Sequence, residues 1–149
     1  MGMPSTHTGL HYHLIFATKN REPIISEDWQ SRLHEYLGGT VRGLEGVPQG
    51  IGGVADHVHL LVALKPTHCL ADFMRDLKKA SSAWVAASLQ KHFQWQEGYA
   101  AFTVSPSART AVQEYIADQE EHHRHHSFRE ELVKFLQKSG LEYDERYLD

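Results

Sequence analysis

Apolar and polar residues alternate from Leu10 to Ala17. Leu10, Tyr12, Leu14 and Phe16 fall on one side, and His11, His13, Ile15 and Ala17 on the other. That period of two predicts a strand. A polar connection, Thr18 to Pro23, follows. Ser26 then offers an N-cap with Glu27 and Asp28 in the first turn, where the helix dipole favours acids. Trp29, Leu33, Tyr36, Leu37 and Val41 keep helical spacing to about Leu44, although Gly38 and Gly39 weaken the middle. Gly50 to Val54 predicts a short strand whose glycines suit a bulge or a close neighbour. Ala55 and Asp56 make a tight connection into a further strand, His57 to Leu64. Val58, Leu60 and Val62 share one of its faces; His57, His59, Leu61 and Ala63 share the other.

Past Pro66 and Thr67, the spacing predicts a second helix from Leu70 to about Gln90. Its apolar face is Leu70, Phe73, Met74, Leu77, Trp84 and Val85. A strand is predicted near Tyr99 to Val104. Ser105-Pro106-Ser107 signals the start of a third helix, about Ala108 to His122. Ser127 caps a fourth, with Phe128, Leu132, Phe135 and Leu136 apolar and Gly140 as its stop. The order is β-α-β-β-α-β-α-α. Its first six elements fit the split β-α-β plan of an α+β fold, an antiparallel sheet with helices packed on one face, and a helical extension follows.

Composition narrows the picture modestly. At 149 residues, 41% hydrophobic and 23% charged, the chain is expected to be one domain, residues 1–149, with a core of about 8–122 and a C-terminal extension of about 123–149. One cysteine, Cys69, excludes an internal disulfide. No run approaches the roughly 18 apolar residues of a membrane span. The N-terminus lacks the features of a signal peptide, so a cytoplasmic location without membrane association is expected. The net charge of −4 is concentrated late. Residues 1–110 hold 10 Lys and Arg against 9 Asp and Glu, and residues 111–149 hold 5 against 10. Binding to a polyanion would therefore rest on local patches.

Two small constellations carry the candidate chemistry. His57 and His59 point the same way from their strand, and neutral imidazole is a common metal ligand. An ordinary polar sheet surface would explain the pair equally well, and two ligands are too few for a site. Tyr115 and Gln119 lie four apart on one face of the third helix. A glutamine carbonyl is a hard ligand suited to Mg²⁺ or Mn²⁺, and a phenol can serve as a covalent nucleophile. A packed tyrosine on an amphipathic helix is the plainer alternative.

Several stretches, in order, resemble the single-tyrosine HUH transposases of the insertion sequence 200/605 group. HUH stands for histidine, bulky apolar residue, histidine, here His57-Val58-His59 within Asp56 to Val62. The others are Tyr12 to Lys19, Lys78 to Ser82, Trp95 to Tyr99 and Glu114 to Gln119. Phe128, Glu131 and the ending Tyr143 to Leu148 resemble an extension common in that group. The likeness covers roughly residues 8–148.

The resemblance implies a ferredoxin-like (RRM-like) domain, usually a homodimer, acting on single-stranded DNA with hairpin-bearing ends. By position, His57, His59 and Gln119 would hold a divalent metal, Mg²⁺ or Mn²⁺. Tyr115 would attack a phosphodiester to leave a 5′-phosphotyrosine and a free 3′-OH. The tyrosine helix can dock beside the partner subunit's metal site in such families, so sites shared between chains are expected. Lys19, Arg21, Arg75, Lys78 and Lys79 are candidate DNA contacts. Asp56 is a candidate to orient a ligating histidine, or simply forms the turn. A catalytically silent or domesticated single-stranded nucleic-acid-binding protein of the same fold is the alternative. Retention of all four candidate catalytic residues argues against it.

Overall fold

A computed structural model describes residues 5–144. Its elements are β1 (Leu10–Ala17), α1 (Gln30–Gly43), β2 (Val47–Val54), β3 (His57–Leu64), α2 (Leu70–Ser88), β4 (Ala100–Val104), α3 (Arg109–Ala117), α4 (Gln119–His122) and α5 (Phe128–Lys138). The strands pair antiparallel in the order β2-β3-β1-β4, which is the ferredoxin-like arrangement. The part of the predicted ending beyond Asp144 lies outside the described residues.

The alternation in β1 and β3 sorts side chains between two faces. Leu14, Phe16, Val58, Leu60 and Val62 are buried against Leu33, Leu37 and Val41 of α1 and Phe73, Met74, Leu77 and Val85 of α2. The two crossover helices thus cover one face, as the pattern predicts. The C-terminal extension covers the other. Ile15 and Ala17 pack with Phe128, Leu132 and Phe135, and Leu61 packs with Val112, Tyr115 and Ile116. His57 and His59 therefore lie inside a three-layer molecule, and neither is exposed to solvent.

Three local departures bear on this arrangement. Helix α1 starts at Gln30 rather than directly after Ser26. Ser26 does accept the Asp28 N–H at 3.2 Å, but Trp29 leaves helical geometry and sets its ring edge-on to Phe93, 6.1 Å away. β2 runs from Val47, with a register shift between Pro48 and Gly50. The predicted third helix is divided at Asp118, whose N–H is shared between the carbonyls of Glu114 (3.1 Å) and Tyr115 (3.3 Å). Past that slackened turn, Gln119 is buried.

Close approach of α3 to the sheet depends on Gly52. A Cβ there would lie 2.1 Å from the Ile116 carbonyl oxygen. Glycine is the only residue that lets the helix sit so low over β2. At the other end, Ser127 accepts the Glu130 N–H at 3.1 Å to cap α5, and Gly140 follows the helix with φ +66°.

Candidate active site

His57 and His59 project from β3 toward α4 and α5. The His57 Nδ1–H donates to Asp56 Oδ1 at 2.7 Å, and its Nε2 lies 3.3 Å from Gln119 Oε1 and 3.3 Å from Glu131 Oε1. His59 Nε2 is 2.9 Å from the same Glu131 oxygen, and its Nδ1 is 2.7 Å from His13 Nε2. His123 completes the ring. Its Nδ1–H donates to the His126 carbonyl at 2.7 Å, which in the neutral ring leaves Nε2 a lone pair, buried and without a well-directed hydrogen bond. That atom lies 3.2 Å from Glu131 Oε1.

The ligand atoms of His57, His59, His123 and Glu131 all lie within 4.8 Å of one another. This donor set fits a divalent cation. Lone pairs and a carboxylate converge on one buried point, where only protons or a metal ion can relieve their repulsion. Asp56 and the His126 carbonyl each hold an imidazole in the tautomer that presents Nε2 inward.

Without a cation, protons take that role, and the titrations reflect it. Burial opposes charge on His57, yet its bonds to Asp56 and Glu131 outweigh burial and raise its pKa. Burial, partly offset by Glu131, lowers His59 to about 4. Burial, then the neighbouring charge of His59, lowers His13 to about 3. Burial alone would raise Glu131, but hydrogen bonds from His123, His57 and His59 hold it well below the usual carboxylate range.

The second oxygen of Glu131 faces the tyrosine. Oε2 accepts a short hydrogen bond from the Tyr115 hydroxyl and lies 3.3 Å from His122 Nε2. Tyr115 is partly buried. Burial first, then the hydrogen bond and charge of Glu131, push its phenol up, so the metal-free site keeps it protonated. An open cleft of about 440 Å³ beside the tyrosine is lined by Tyr115, Asp118, His122 and His126 among others.

Tyr115, His57, His59, Gln119 and Asp56, singled out from sequence, thus meet in one place and within one chain. The five candidate DNA cations do not. Arg21 lies nearest, its guanidinium 4.9 Å over the Phe128 ring, which itself stacks on His57 at 4.4 Å. Lys19 is exposed in the neighbouring turn. Arg75, Lys78 and Lys79 sit on α2, beneath the opposite face of the sheet. Arg75 pairs with Asp72 and Asp76. Lys78 donates to the carbonyls of Gln96 at 2.7 Å and Gly98 at 2.6 Å and so fastens the segment before β4.

Sequence reasoning did not assign Glu131, His123, His122 or His13 to the site. One signal was available: Glu131 interrupts the apolar stripe Phe128, Leu132, Phe135 of α5, an expensive position for an unpaired carboxylate.

Residues 6–119 match the family described as IS200-like transposases. The chain belongs to that family. It is 29% identical over 119 residues to the ISDra2 transposase TnpA of Deinococcus radiodurans, covering 74% of this chain and 84% of that one. A crystal structure of a Deinococcus radiodurans R1 protein assigned as a transposase superposes with a TM-score of 0.65 at 28% identity, over 78% of this chain and 95% of its own. A REP-associated tyrosine transposase, solved bound to a REP hairpin, shares the fold at a TM-score of 0.56 and 16% identity, over 78% and 70% of the two chains. Membership places the protein among DNA-processing transposases, and its buried histidine–carboxylate group can hold a metal ion. No helix among the described residues is long and apolar enough to cross a membrane.

Proposed function

We propose that this transposase cleaves and rejoins single-stranded DNA through a covalent bond to Tyr115. The observation that carries this is the meeting of the Tyr115 hydroxyl with His57, His59 and Gln119 around one carboxylate in a single chain. His57, His59 and Gln119 would hold the ion. With His123 beside them, the imidazole-rich surroundings favour Mn²⁺ or another first-row transition ion over Mg²⁺. A bound divalent ion supplies Lewis-acid neutralisation of the non-bridging phosphate oxygens.

The protein's own residues do the rest. Asp56 fixes the His57 ring. Glu131 Oε2 accepts the phenolic hydrogen, and His122 Nε2 lies 3.3 Å from the same oxygen, so the two side chains fix the phenol beside the cleft. Attack forms a bond between the Tyr115 oxygen and phosphorus and breaks the bond to the 3′ oxygen. In net, the phenolic proton ends on that 3′ oxygen, leaving a free 3′-OH and a 5′-phosphotyrosine. A second 3′-OH reverses the step and rejoins strands without an external energy source. One complete site per chain follows, whether or not two chains associate.

The test is incubation with single-stranded DNA from the ends of the protein's own genomic locus, with Mn²⁺ or Mg²⁺. Wild type is expected to form a denaturant-resistant protein–DNA adduct, and Tyr115→Phe and chelator-treated protein none. An adduct that survives Tyr115→Phe would remove the nucleophile assignment. DNA binding without an adduct on any end would favour the silent binding module.

A further inference from the structure

The family match ends at residue 119, yet two of the four atoms that converge on the buried point come from later in the chain. His123 follows α4, and Glu131 projects from α5. We propose that this C-terminal segment supplies two ligands of the metal, His123 Nε2 and Glu131 Oε1, and that Glu131 holds the nucleophile with its other oxygen. The inference rests on the reading of His57 and His59 as metal ligands.

Three observations support it. The bond to the His126 carbonyl takes the Nδ1–H of His123, so in the neutral ring Nε2 is a lone pair aimed into the buried point, without a well-directed hydrogen bond. A lone pair 3.2 Å from a carboxylate oxygen is repulsive unless a cation lies between them. The Glu131 carboxylate is wholly buried, with its two oxygens divided between the imidazoles and Tyr115. Helix α5 is built to keep it there. Ser127 caps the helix, and Phe128 and Leu132 anchor it to the sheet on either side of Glu131.

One carboxylate spanning ion and phenol fixes the distance between them by covalent geometry. Without α5, only the seating of α3 on the sheet would locate Tyr115 relative to the histidines. Glu131 is thus a ligand and a positioning residue together, and the extension is part of the active site.

The test strips the full chain of metal and titrates Co²⁺, reading the dissociation constant by calorimetry and the ligand field by visible absorption. Glu131→Gln and His123→Gln are each expected to weaken Co²⁺ binding by at least ~10-fold and to change the absorption bands. Glu131→Asp, which keeps the charge on a shorter arm, is expected to fall between wild type and Glu131→Gln. His92→Gln, at an exposed histidine outside the site, should bind Co²⁺ within about threefold of wild type. An unchanged constant and spectrum in Glu131→Gln would overturn the proposal. So would a Glu131→Ala protein with unchanged Co²⁺ affinity and faster adduct formation than wild type, because the carboxylate would then be a plug. Wild type that binds Co²⁺ through Glu131 but never forms a DNA adduct would remove the strand-transfer reading and leave this one standing.

Discussion

His13 and His59 show what burial does to single residues at this site. Their rings meet at 2.7 Å, and their pKa values fall to about 3 and about 4. In the unfolded chain both take up protons near 6.5. Between that value and the folded ones, the unfolded state binds protons that the fold refuses, so stability falls as pH falls through this window. His57 is shifted upward and opposes this loss. Metal-free protein should therefore lose roughly 2 kcal/mol between pH 7.5 and pH 5, seen as a drop of about 5 °C in Tm. His13→Gln, which removes one of the two depressed groups, should shrink that drop. A Tm that is flat or rises toward pH 5 would show that the imidazoles are not held neutral.

The same scale separates the candidate cations. Lys78 is half-buried and donates to two carbonyls, so its charge is committed to the fold. Lys78→Ala is expected to cost about 1–2 kcal/mol in chemical denaturation. It should leave affinity for single-stranded DNA unchanged. Arg21 lies over Phe128 at the edge of the site. Arg21→Ala should weaken DNA binding several-fold and flatten its salt dependence by about one unit. Equal effects of the two substitutions on DNA affinity would undo this division.

At the scale of elements, the seating of α3 on β2 decides where the nucleophile sits. Gly52 permits it, since any Cβ would collide with the Ile116 carbonyl next to Tyr115. Gly52→Ala is expected to destabilise the protein by at least ~2 kcal/mol. Displaced α3 would carry Tyr115 and Gln119 away from the histidines, so the variant should also lose most adduct formation at temperatures where it remains folded. Denaturation and adduct assays on the same sample check both effects. A stable and fully active Gly52→Ala protein would mean that α3 has room to spare.

At the scale of the whole molecule, the unsettled relation between the two halves of the site becomes a question of connectivity. The sequence resemblance implies sites shared between subunits, whereas Tyr115 here meets His57 and His59 of its own chain. The extension makes this possible by laying α5 across the histidine face and closing a third layer over the sheet. Mixing Tyr115→Phe with His57→Ala protein is therefore expected to yield no adduct, since no chain holds both halves. Recovery of a substantial fraction of wild-type adduct in the mixture would establish exchange of the tyrosine helix between subunits.

Much of this architecture is written in local patterns. The alternation in β1 and β3, the helical stripes of α1 and α2 and the Ser127 cap are determined by residues within a few positions of one another, and they correspond to the elements observed. The His57–His59 pair is local in the same sense, because strand geometry alone fixes which side chains share a face. What the periodicities do not encode is which faces meet. His59 and Glu131 are 72 residues apart, and nothing in the spacing of α5 says that its carboxylate ends among imidazoles rather than in water. Tertiary structure alone decided that the histidine face is covered, that Asp118 relaxes the helix so Gln119 turns inward, and that His123 and Glu131 join the ring. The physical reason is burial. Once α5 seals the face, each polar atom beneath it must find a partner, and the partners available are one another and a cation.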